Sequence, residues 1–263
     1  MTQQVTVAPT TDARARLIIA QVVASLPVSL RSAAARSGLA AVTGDSWSRS
    51  GARAVEDGAS GVMILAPGLA WDTAALDEIR RAGVPVVVDT TWSYNPAVGS
   101  AAPHLMQLAD EDASVETRVE APAGSNLDEV ALAQLGLVRS ALGDIAEFRI
   151  ERWNVHGYEA VGRLASGSDV AFSAILTNAR RPHASLRLLT RRAAVRVELP
   201  DPGTATCGSV IVSDETGAVL LPTSFETAHR AAWRELHGRV VSGSTSSDFE
   251  ELLEDIKMLT SAR

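Results

Sequence analysis

The chain has 263 residues, 46% of them hydrophobic, with a formal net charge of −7, enough for one large domain or two modest ones, each with its own core. The acidic balance argues against a general nucleic-acid binder, which needs Lys and Arg to neutralise phosphate. No apolar run approaches the roughly 20 residues that cross a bilayer, and the amino-terminal stretch lacks a basic-then-apolar signal pattern, so no membrane association and a cytoplasmic location are expected.

In chain order, Gln4–Ala8 reads as a short strand. After the turn Pro9-Thr10-Thr11-Asp12, Ala13–Ala24 has one apolar helical face. Pro27–Leu30 and Leu39–Val42 read as short strands, and a helix capped by Asp45 or Ser46 runs through Glu56 to stop at Asp57-Gly58. The central stretch follows. Val62–Ala66 and Val84–Val88 are continuous apolar runs flanking a segment with Leu76 and Ile79 at helical spacing. Runs without polar alternation suit strands covered on both faces, so this is a strand–helix–strand unit of a parallel sheet. Its strands end at Pro67-Gly68 and Asp89-Thr90-Thr91, where open α/β sheets form their binding crevice. Trp92-Ser93-Tyr94-Asn95-Pro96 is turn-rich, His104–Ala109 reads as a short helix, and Val115–Glu120 as a strand with alternating faces. Asn126 or Ser125 starts an amphipathic helix through Leu142. From Ile145 to Leu221 the period becomes two, with turns at Gly167-Ser168 and Glu215-Thr216-Gly217, as in an antiparallel sheet. Helices over Phe225–Val241 and Ser247–Ser261 close the chain.

Two residue types occur once. Cys207 is the only cysteine, which excludes an internal disulfide and a cysteine metal cluster and leaves a buried thiol. Lys257 is the only lysine; it flanks the apolar stripe of the last helix three residues after Glu254, the spacing of a surface ion pair. Arg180, Arg181, Arg187, Arg191, Arg192 and Arg196 crowd one region and read as solvent-facing positions of antiparallel strands.

Several stretches carry a family resemblance. Gly58–Pro67, GASGVMILAP, looks like an "ADAVVIATP" strand, Ala74–Val88 like an "ALEAGKHVLVEKP" helix and strand, and Leu135–Ile145 like an "LGxIG" helix entering a sheet; Trp233–Met258 matches the closing helices. With the order of elements, this resembles the glucose–fructose oxidoreductase / inositol dehydrogenase (Gfo/Idh/MocA) family. The resemblance implies a degenerate Rossmann-like parallel-sheet domain over residues 1–122, then an open antiparallel β-sheet domain with closing helices over residues 123–263.

The departures fall where that family's chemistry lies. Its glycine-rich turn after the first strand lets backbone approach a pyrophosphate; here the turn is Pro9-Thr10-Thr11-Asp12, with a lost N–H and a carboxylate. The Glu-Lys-Pro that brings a lysine to substrate and nicotinamide corresponds to Asp89-Thr90-Thr91. Only Asn154–Ser168 separates Trp153 from the next hairpin, leaving little room for the helix bearing the family's Asp and His.

The expected site therefore has no dinucleotide, no other cofactor and no metal. Asp89 and His156 are the expected acid–base groups, with Thr90, Thr91, Trp92 and Tyr94 as substrate contacts. A carboxylate beside aromatic rings suits a sugar or cyclitol. Each has a plain structural alternative: a cap for Asp89, core packing for Trp92, a surface loop for His156. The expected function is a ligand-binding or assembly subunit that has lost dinucleotide binding and catalysis, as a homo-oligomer or with an intact family member. An NAD(P)-dependent sugar or inositol dehydrogenase and a nicotinamide-independent sugar-processing enzyme are the alternatives.

Overall fold

The computed structural model describes residues 4–8, 13–32, 38–110, 112–204 and 206–263. By contacts they form two compact units, residues 1–89 with 229–253, and residues 90–228 with 254–263. The first unit takes in a late stretch of the chain, residues 229–253.

The first unit holds β1 (Val5–Val7), α1 (Ala13–Ser25), β2 (Leu30–Ser32), β3 (Gly38–Gly44), α2 (Trp47–Glu56), β4 (Ala59–Pro67), α3 (Thr73–Ala82) and β5 (Val86–Asp89). Its strands are parallel in the order β2-β1-β3-β4-β5, a doubly wound order that reverses between β1 and β3. Val62, Met63, Ile64 and Val87 are 0% exposed, as expected of strands covered on both faces. The cover is visible in adjacent residues. A Cβ on Gly51 of α2 would meet Ile79 of α3 and reach Val62, whereas one on Gly61 would press into Leu236 and Val240 of a later helix, and neighbouring strand residues point to opposite faces. Asp72 caps α3 through Ala75 N–H at 3.2 Å, and Gly83 ends it at φ 64°. Ser32 and Leu39 both lie level with Val7, so five residues, 33–37, join β2 to β3 where a parallel crossover usually takes a dozen or more. That link and the turn 9–12 lie outside the described residues.

The second unit holds α4 (Pro96–Leu108), β6 (Ser114–Ala121), α5 (Leu127–Leu142), β7 (Ile145–Asn154), β8 (Gly157–Leu164), β9 (Asp169–Leu176), β10 (His183–Leu189), β11 (Ala193–Leu199), β12 (Ser209–Asp214) and β13 (Gly217–Leu220). The strands form one sheet in the order β13-β12-β11-β10-β6-β9-β8-β7. It is antiparallel except for the β6–β9 pair. Val115–Glu120 thus sits in the middle of the second sheet rather than in the first domain. Its exposed–buried alternation fits a sheet covered on one face only. The covering layer is α4 and α5, against which Val119, Phe172, Leu186 and Val197 are buried. α4 begins eight residues before the expected short helix because Asn95 caps it through Ala97 N–H at 3.0 Å and Pro96 stands at its first position, where the missing N–H costs nothing.

The last helices are α6 (Ala228–Ser242) and α7 (Asp248–Ser261). In the first unit, Asp248 accepts from Val88 N–H at 3.1 Å and Ser246 hydroxyl donates to Val86 carbonyl, so these side chains satisfy the free edge of β5. In the second unit, buried Arg139 of α5 bonds Asp255 at 2.6 and 3.2 Å and Asp144 at 2.7 Å. Glu254 lies 3.5 Å from Arg139, and Lys257 is exposed with no carboxylate partner among the described residues; the expected Glu254–Lys257 pair is replaced by one with a better-placed guanidinium. Cys207 is half-buried rather than buried, on the chain between β11 and β12. All six clustered arginines are exposed, but only Arg187 and Arg196 stand on strands; Arg180, Arg181, Arg191 and Arg192 lie in the connections on either side of β10.

Candidate functional site

The carboxyl edge of the first unit's sheet is lined by strand ends. β3 delivers Asp45, whose Oδ1 lies where a Cβ on Gly68 would sit, at 2.0 Å; only glycine after β4 allows this approach. Trp47, 0% exposed, donates its indole N–H to the Gly68 carbonyl at 3.1 Å. Ala66 has φ 42° where the β3–β4 register slips, a left-handed conformation uncommon for a residue with a Cβ.

β5 delivers Asp89, 2% exposed. Its Oδ2 lies 2.5 Å from Nδ1 of His229, the second residue of α6, with side-chain exposures of 1% and 19%. Sequence reading placed Asp89 at this edge but missed His229. The two residues are 140 apart, and nothing in local spacing joins them; the one signal is that the final helices resemble elements that return to the first domain.

In the second unit, the segment after Asp89 packs against α5. Thr90 is 7% exposed, donates to Ser93 Oγ at 3.0 Å, and lies so near Gly136 that a Cβ there would come within 2.7 Å of its hydroxyl oxygen. Thr91 has φ 80°, a strained conformation for a β-branched residue. Trp92 is 3% exposed and its carbonyl accepts from Asn95 N–H. Tyr94 is half-buried. His156 is exposed in the β7–β8 turn, where Asn154 accepts from its N–H at 2.9 Å and its carbonyl accepts from Leu176 N–H. The imidazole that the structure brings to Asp89 is that of His229.

The outward face of the second sheet, opposite α4 and α5, carries a trough of about 930 Å³ lined by Glu116, Arg118, Arg187, Arg196, Val161 and Ile211 among others. Among the described residues no group of three or more His, Cys, Asp or Glu is placed to hold a metal. None of the described helices is long and apolar enough to cross a membrane.

Comparison with family models finds no match, and comparison with curated proteins finds none either. Solved structures match in fold. A candidate NADPH-dependent oxidoreductase from Desulfitobacterium hafniense aligns over 100% of this chain and 95% of its own at TM-score 0.77 and 12% identity. UDP-N-acetylglucosamine 3-dehydrogenase GnnA from Acidithiobacillus ferrooxidans aligns over 99% and 98% at 0.74 and 12%. KijD10, a 3-ketoreductase from Actinomadura kijaniata in complex with NADP and TDP-benzene, aligns over 99% and 89% at 0.68 and 13%. The chain therefore has the fold of these oxidoreductases, a Rossmann-like parallel sheet followed by an open, largely antiparallel one.

Proposed function

We propose that this chain is a sugar- or cyclitol-binding, self-associating relative of Gfo/Idh/MocA oxidoreductases that has given up the dinucleotide and with it dehydrogenase catalysis. The observation that carries this reading is the carboxyl edge of the first sheet. The edge where that fold receives an anionic pyrophosphate holds the Asp45 carboxylate packed on Gly68 and closed by Trp47, and Asp89 replaces the lysine that the resemblance would supply. These residues fit a dinucleotide poorly, since carboxylates repel phosphate. The sequence of the turn 9–12, without glycine, points the same way.

Thermal shift with NAD and NADP tests the proposal. A ligand at a hundredfold excess over its Kd stabilises a protein by about 2.7 kcal/mol; the expected result is no shift. Saturable quenching of tryptophan fluorescence by either nucleotide at micromolar concentration would overturn it in favour of an active dehydrogenase.

The ligand side rests on Asp89, Thr90, Thr91, Trp92 and Tyr94 at and after the end of β5, and on neighbours named as a UDP-N-acetylglucosamine 3-dehydrogenase and a 3-ketoreductase. A second reading, a nicotinamide-independent sugar-processing enzyme working in the cytoplasm, is favoured by the Asp89–His229 pair, an arrangement suited to acid–base work; in that reading His156 is a second acid–base group.

A further inference from the structure

We infer that the outward face of the second unit's sheet receives a second copy of this chain on a two-fold axis running along the strands between β10 and β6, with Arg187 of each copy on Glu116 of the other. This rests on the self-associating reading above and places the contact. α4 and α5 cover the inner face of the sheet, and no element of this unit covers the outer one. Eight strands about 4.8 Å apart, the central four of seven or eight residues, give a face of roughly 34 by 24 Å, about the 800 Å² per partner that a standard interface buries. On the strands of that face most charges are already paired inside the chain, Arg196 with Glu198 at 3.8 Å, Arg118 with Glu120 at 3.4 Å, Arg163 with Asp169 at 2.9 Å and Arg152 with Glu159 at 2.8 Å. Arg187 and Glu116 are the exception at its centre. They stand directly opposite each other on β10 and β6, both exposed, yet neither holds an ion pair among the described residues, and Arg187 has the like charge of Arg196 opposite it on its other side.

Symmetry decides which arrangement satisfies both. A half-turn about a line parallel to the strands keeps each residue's position along its strand and reverses the strand order. With the line between β10 and β6, β10 of one copy lies over β6 of the other, β11 over β9 and β12 over β8. In the row that register sets level, Arg187 then meets Glu116 of the second copy, and Glu116 meets Arg187 of the second copy. These are two identical pairs astride the axis, as an isologous contact requires. Further out, Ile211 meets Val161 of the second copy, apolar on apolar, and Arg196 meets Ala171, which brings no like charge to it. Neighbouring placements fail. A line between β11 and β10 sets Arg187 over Arg196 of the second copy, and a line between β6 and β9 sets Arg187 over Val161, where a buried guanidinium has no partner. A line across the strands sets Arg187 over Arg187. The strands of sheets stacked face to face cross at about 30°, so the match is best near the axis, where these two charges stand.

Charge reversal tests the axis. Arg187→Glu leaves only acid at the centre and Glu116→Arg only base, so each variant alone should lose self-association by about a hundredfold or more, since like charges juxtaposed across an interface repel strongly. Mixed one to one, the two variants should associate with wild-type affinity, because every acid then meets a base. Sedimentation velocity at micromolar concentration reads the species, native mass spectrometry reads the one-to-one composition, and circular dichroism checks that each variant keeps the fold, as exposed side chains allow. Variants that associate with themselves as wild type does, or that dissociate and do not recombine on mixing, would overturn this inference alone and leave the self-associating reading standing. A wild type that stays monomeric at micromolar concentration would overturn that reading, and this inference with it. Inorganic phosphate probes the other occupant: saturable binding to monomeric wild type that is lost in Arg187→Ala would assign the guanidinium to an anion and overturn the inference.

Discussion

A methyl group has nowhere to go at Gly157. Its φ is 146° and a Cβ there would lie 1.9 Å from the Ala174 carbonyl oxygen, so Gly157→Ala should cost about 2–4 kcal/mol in urea unfolding, through strain and a broken β8–β9 contact. Its neighbour Tyr158 poses a different constraint. The residue is 2% exposed, and its hydroxyl donates to Gln134, whose amide donates in turn to Thr117 at 3.1 Å and to the Ser173 carbonyl at 3.2 Å. Burial pushes the phenol well above its ordinary pKa, since a phenolate there would lose its hydration. The folded state thus holds the proton more tightly than the unfolded chain, in which tyrosine titrates near roughly 10. The resulting stability is fully present below that pH and is lost as pH rises above it. Wild type should show this alkaline loss in its melting temperature, and Tyr158→Phe should lack that component while losing about 1–3 kcal/mol at neutral pH, because Gln134 is left without its donor. Equal alkaline slopes in the two proteins would show that Tyr158 is not the group responsible.

The ends of α7 show how an element can be visible in sequence while its role is hidden. Its apolar stripe fixes its helical character, and its bounds differ from the sequence reading by one residue at the start. What the stripe does not reveal is that Asp248 and Ser246 close the edge of β5. Nor does it show that Phe249 meets Trp47 edge-on at 6.2 Å beneath Arg80, which forks onto Glu250 at 2.7 and 2.8 Å. These contacts join residues far apart in sequence, and periodicity reports only local geometry. The same limit explains the site: Asp89 was legible because a strand end is a local feature, and His229 was not because its partner lies on another element. The mixed sheet likewise follows from β6 entering between β9 and β10, which no alternation pattern encodes. Two element-scale predictions follow from geometry. Asp248→Ala leaves the Val88 amide without its acceptor and should cost about 1–3 kcal/mol, with faster amide exchange at Val88 as the specific reading. In the second unit, burial acts to lower the pKa of Arg139 and is outweighed by Asp255, Asp144 and Glu254, so the guanidinium stays charged. Asp255→Ala strands that charge and should cost about 3–5 kcal/mol, whereas replacing both partners by apolar side chains of similar size should cost far less. A double-mutant cycle with Arg139→Met and Asp255→Leu measures the difference.

Across the whole molecule the chain passes between units after Asp89, after Ala228 and within α7 after Leu253, yet one large surface belongs to the second unit alone. The outward face of its sheet has no covering element from that unit, and register sets Ile211, Arg196, Arg187, Glu116, Ala171 and Val161 side by side across six strands. Two arginines directly opposed repel one another, and Val161, Val219 and Leu220 are 39%, 61% and 60% exposed. Such a row, apolar at both ends with base and acid between, is complementary to a second copy related by a two-fold axis, which sets acid against base and apolar end against apolar end. We therefore expect light scattering at micromolar concentration to give twice the chain mass or a larger even multiple. The double substitution Val161→Glu with Ile211→Glu should shift the protein toward monomer by at least tenfold in dissociation constant, about 1.4 kcal/mol, while the circular dichroism spectrum stays unchanged because both side chains point away from the core. A wild-type protein that is monomeric throughout that range, and that recovers no intact oxidoreductase of the same fold as a partner, would leave this face as ordinary hydrated sheet.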